Sequence, residues 1–106
     1  MGSTRTKASA DRPAPSDRRT VDRVQTGVRM EKRLLQVLKA LASSHGLTLG
    51  DLLEGIVLHA FDGASPFGPE SMRKIEQLRK VYGLDLDAGD SHLLVERGAR
   101  ARLSRR

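Results

Sequence analysis

Between Arg23 and Met30 the chain carries its one alternating run, with Val24, Val28 and Met30 on one side and Arg23, Gln25, Gly27 and Arg29 on the other. That is the period-2 pattern of a half-buried strand. No hairpin turn follows it, and no second β-rich run occurs in the 106 residues. A lone strand leaves a row of backbone donors and acceptors unpaired. The pattern therefore demands a partner from outside the chain, and the same strand of a second copy is the simplest one. Two helical patterns follow directly, so the stretch from Gln25 to Phe61 reads as one short strand and two amphipathic helices.

The first helix is expected over Glu31 to Ser44. Leu34, Val37, Leu38 and Leu41 repeat at three and four, Leu35 and Ala42 widen the stripe, and Lys32, Arg33, Gln36, Lys39 and Ser43 line the opposite side. Its start reads as poorly capped, because Met30 offers no acceptor, and Gly46 is the expected stop. The second helix begins more sharply. Thr48 is a good N-cap, Asp51 completes an approximate capping box, and Leu47 and Leu52 occupy the hydrophobic staple positions. Leu49, Leu52, Leu53, Ile56, Val57 and Ala60 form its core stripe, and Asp62-Gly63 end it. Leu58 and Phe61 lie on the far side, which predicts a second cover for this helix.

A turn-rich connector over residues 63–69 leads to a third helix from Glu70 to Tyr82, stopped by Gly83. Its stripe of Met72, Ile75, Leu78 and Tyr82 has Leu58 and Phe61 as its natural target. Beyond it, Leu84 to Asp87 is too short to assign, and Ser91 to Glu96 reads as a last helical turn or an extended segment.

A folded part of roughly 70 residues supports only a small core, and self-association often supplies the rest. The net charge of +6 is unevenly placed. Residues 1–23 carry six basic and three acidic side chains, residues 96–106 five and one, and residues 24–95 eight and nine. Cationic ends around a near-neutral body suit a polyanion, most economically nucleic acid. Residues 1–22 read as a flexible basic arm, 23–62 as the strand-helix-helix unit, 63–96 as a helical extension packing on it, and 97–106 as a basic disordered tail. There is no cysteine, so neither disulfides nor thiolate metal sites arise, and compartment cannot be read from it. No run of eighteen apolar residues and no apolar signal core occur, so a cytoplasmic protein with no membrane partner is expected.

The strand leading straight into a helix at Val28-Arg29-Met30, the spacing to Gly46, and Thr48 before an aliphatic helix resemble the ribbon-helix-helix family of DNA-binding proteins over about 37 residues. The resemblance implies a mainly α fold with one short strand: an intertwined homodimer whose strands pair as a two-stranded antiparallel ribbon that enters the major groove. Carried over by position, Gln25, Gly27 and Arg29 would face bases. Amides around Thr48, Leu49 and Gly50 would hold a phosphate, with Arg23, Lys32 and Arg33 flanking, and Val28, Met30, Leu34, Leu38, Leu41, Leu52 and Ile56 would form the dimer core. Arginine is the residue type that reads guanine through two hydrogen bonds, and glutamine can do the same for adenine. Gly27 departs from the family pattern, having no side chain at the central reading position.

The function expected from this is a sequence-specific, DNA-binding transcriptional regulator, a repressor acting as a homodimer on double-stranded DNA. Two alternatives accompany it. One is an antitoxin whose residues from Pro66 onward grip a cognate toxin; the other is a dimeric interaction module without DNA binding, favoured by Gly27. No catalytic constellation is present, and no metal or cofactor is implied: His45, His59 and His92 are widely spaced, and no glycine-rich phosphate loop or nucleophile elbow occurs.

Overall fold

The computed structural model describes residues 18–98, which form three α-helices, α1 (Lys32–Ser44), α2 (Leu49–Phe61) and α3 (Pro69–Tyr82), followed by a short 3-10 turn, Ala88–Asp90. α1 starts one residue later than the sequence suggests because Glu31 is itself the cap. Its Oε1 accepts the Leu34 amide at 2.8 Å while Oε2 accepts from Arg33 Nε at 3.0 Å. Glutamate is not among the residues favoured at this position, so the cap was invisible to a reading based on preferences. At α2 the expected cap is present, Thr48 Oγ1 accepting the Asp51 amide at 3.0 Å.

α1 and α2 end on the same device. At α1, Gly46 takes φ +68°, and the amides of Gly46 and Leu47 donate to Ser43 and Ala42 carbonyls at 3.0 and 2.9 Å. This left-handed turn satisfies the otherwise orphaned last carbonyls, and glycine adopts it without a Cβ penalty. Gly63 repeats it after α2, and Gly83 closes α3 in the same conformation.

α1 is the central element and packs against both α2 and α3. Leu41, Ala42 and Leu52 form the buried cluster, with Leu38, Ile56, Phe67, Ile75 and Leu78 packed around it. Val37 and Leu84 are also buried. α1 and α3 run antiparallel. Arg33, at the start of α1, donates to the Gly83 carbonyl at 2.9 Å, and His45 just past its end lies 3.5 Å from Ser71 in the first turn of α3.

Two expectations are overturned. First, the strand and the ribbon it was to build are absent: among the described residues there is no strand, and the chain from residue 18 to 31 has no regular structure. A ribbon-helix-helix architecture with its intertwined two-stranded ribbon is therefore not the fold found here. The physical reason is the one that made the pattern unusual. A strand exists only as part of a ladder, and no other segment of this chain supplies one. Val24 and Val28, the apolar side of the run, stand 84% and 74% exposed. Second, α3 does not cover α2's outer face. Ile75 and Leu78 instead pack on the cluster of Leu41, Ala42 and Leu52, leaving Leu58 and Phe61 63% and 80% exposed. Leu35 and Ala42 broaden the apolar stripe of α1 enough to bury two neighbours, so α3 finds its partner there. The basic arm and tail fall mostly on residues 1–17 and 99–106, outside the described residues.

Removing side-chain volume where α1 is covered on both sides has nothing to refill it. Leu41→Ala is expected to lower the unfolding free energy by about 3 kcal/mol, within the range for a fully buried leucine, measured by urea denaturation followed by circular dichroism.

Candidate nucleic-acid interface

Most of the residues singled out as DNA contacts fall in two groups, linked by the irregular chain before α1. The first gathers at the start of α2. Arg23 reaches Glu54 with two parallel bonds, Nε to Oε2 and Nη2 to Oε1, both 2.8 Å, and Asp51 Oδ1 lies 3.5 Å from the same Nη2. Asp51 and Glu54 are three apart and share one face of the helix. The hydrogen bond it donates to Glu54 holds the Arg23 guanidinium more firmly protonated than usual, and the same bond lowers the pKa of the Glu54 carboxyl. Thr48 caps the helix, Leu49 is half-buried and Gly50 is exposed. The positive helix end that was to hold a phosphate thus already has the Asp51 carboxylate in its first turn.

The second group sits at the start of α1. Val28 to Arg33, Leu35 and Gln36 on one side and Leu94 to Arg97 on the other line an open cleft. Arg29, 80% exposed, donates from Nε to Glu96 Oε1 at 3.0 Å and from Nη2 to the other oxygen. That hydrogen bond, with the charge behind it, raises the Arg29 pKa. Arg33 bonds Glu31 and the Gly83 carbonyl and pairs with Asp85 at 3.1 Å, so it serves the α1–α3 junction. Glu31 is pushed up by desolvation, but the Leu34 amide and Arg33 outweigh this and leave its pKa lowered. Lys32 points into solvent.

Gln25 and Gly27 lie between the groups, both exposed. A Cβ at Gly27 would meet nothing within 4 Å, so neither packing nor backbone conformation requires glycine here. Of the residues assigned to a dimer core, Leu41 and Leu52 are buried within the single chain, Leu38, Ile56 and Met30 are half-buried, and Val28 and Leu34 remain exposed.

Sequence reasoning missed the carboxylates that hold the arginines. Glu96 had left a signal, as the single acidic residue of the 96–106 stretch. Glu54 had left a weaker one, a charged residue beside the apolar stripe of α2. Among the described residues no group of three or more potential ligands could hold a metal ion, and no helix is long and apolar enough to cross a membrane. Compared with known proteins, the chain matches no family model, no curated protein and no solved structure.

The Arg23–Glu54 clamp carries a pH signature. Glu54 has a lowered pKa in the folded state, so the stability it contributes is fully present above its unfolded value and is lost as the pH falls through the folded one. Wild type and Glu54→Gln should therefore differ in urea midpoint at neutral pH. The difference should vanish below the ordinary carboxylate range.

Proposed function

We propose that this protein binds double-stranded DNA as a pair of chains, using the exposed arginines before α1 together with its cationic ends. The observation that carries this reading is the placement of charge: a helical body with eight basic and nine acidic residues over 24–95 lies between ends in which basic residues outnumber acidic ones eleven to four. Such an arrangement draws a polyanion to the ends without making the body repel its own copy. Arg29 supplies a planar fork of donors suited to a phosphate or a guanine edge, and it stands well out from the surface.

Pairing of two chains is supported by α2. Val57, Leu58 and Phe61 occupy a little over one turn and are 43%, 63% and 80% exposed. An apolar ridge can meet the same ridge of a second copy about a twofold axis, and a small single-chain core benefits from the added burial. The near balance of charge in the body imposes no barrier to that approach.

A second reading has its own observation. Arg23, Arg29 and Arg33 each hold a carboxylate of the same chain, which suits a body that interacts with proteins through α2 and leaves DNA alone.

Titration of labelled duplex DNA at two salt concentrations separates these readings. DNA binding predicts an affinity that falls steeply with salt, by an amount set by the number of phosphates contacted. Arg29→Ala should weaken it by roughly tenfold, the size of one good bidentate contact. Absence of binding by the wild type at low salt would leave the interaction module.

A further inference from the structure

The chain leaving the 3-10 turn comes back to the start of α1. The turn is firmly made: Asp87 accepts the Gly89 amide and Asp90 accepts the Asp87 amide, both at 2.9 Å, and the Leu93 amide donates to the Asp90 carbonyl at 3.0 Å. His92, at φ +67°, redirects the backbone in a conformation uncommon for a residue with a side chain. From there Leu94 to Arg97 face Val28 to Arg33 across the cleft. Leu93, Leu94 and Val95 are all more than half exposed, so burial of these side chains does little to fasten the segment.

Glu96 meets Arg29 with both carboxylate oxygens, one on Nε and one on Nη2. Two parallel N–H···O bonds to a flat acceptor are also how a guanidinium takes a phosphate or the edge of guanine. Glu96 therefore occupies the very donors that a nucleic acid would use.

We propose that residues 91–97 are a strap over Arg29, with the Glu96 carboxylate standing in for the anionic ligand until DNA displaces it. This rests on the DNA-binding reading above. An exposed ion pair is weak enough to be exchanged for a polyanion that offers many charges at once. The backbone change falls at residues 91–93, beyond the turn, so lifting the strap leaves the α1–α3 packing untouched. The effect of the strap is to lower the affinity of every complex that uses Arg29 by the cost of displacing Glu96.

The test uses the full chain and labelled duplex DNA at low and moderate salt. Glu96→Gln should bind about two- to fivefold tighter than wild type, the size an exposed pair supports. Glu70→Gln makes the same charge change in the first turn of α3 and should bind like the wild type. In an Arg29→Ala background, Glu96→Gln should tighten binding less than it does in the wild-type background, because the two residues are coupled. Without DNA, the Arg29 Nε–Hε resonance should shift in Glu96→Gln. Equal tightening by Glu70→Gln and Glu96→Gln, no tightening by either, or an unmoved Arg29 resonance overturns the strap and leaves DNA binding standing. If neither the wild type nor any variant binds DNA, the DNA-binding reading falls and takes the strap with it.

Discussion

Burial of α1 on two sides is the constraint on which the rest of the structure depends. Leu41 is almost wholly removed from solvent, and Ala42 beside it is small enough for neighbouring helices to come close. α2 and α3 both draw their packing from this one helix, and its two ends are tied to α3 through Arg33 and His45. The core of α1 is taken up by its two neighbouring helices, and Val24 and Val28 of the segment before it find no cover there. The run from Arg23 to Met30 is therefore held to the body by charge: Arg23 on α2 and Arg29 on the returning C-terminal segment.

That manner of attachment links fold to function. Apolar burial is lost only by unfolding, whereas an exposed ion pair exchanges partners at little cost. The arginines are thus positioned without being committed. Their guanidinium groups stay charged at any pH the protein meets, so control over them lies with the carboxylates opposite, Glu54 and Glu96, and with whatever anion competes. The exposed ridge of α2 is the other side of the same economy. Because α3 packs on α1, Leu58 and Phe61 are left exposed.

The helices were legible in the sequence because their signals are local. Thr48 as a cap, and Gly46, Gly63 and Gly83 as stops, act within a few residues, and the apolar spacing at three and four needs only one helix to express itself. Apart from the Glu31 cap, which is local but uses a residue type not favoured there, the failures involve distance along the chain. The alternating run from Arg23 to Met30 reads as a strand by period, yet a strand is a property of a pair. α3's stripe was matched to the nearest unpaired apolar residues, Leu58 and Phe61, when the broader surface of α1 lay further back. The carboxylate partners of Arg23 and Arg29 are 31 and 67 residues away, a separation at which no periodicity operates. Which cations a body leaves open to a ligand is a tertiary fact. The sequence states only which cations exist.

Sedimentation equilibrium of the full chain across a range of loading concentrations tests the central claim, that the α2 ridge is completed by a second copy. The account predicts a species of twice 11.6 kDa, and a Phe61→Lys variant that keeps its helical circular dichroism but sediments as a monomer. A wild-type protein that remains monomeric at every concentration would contradict it.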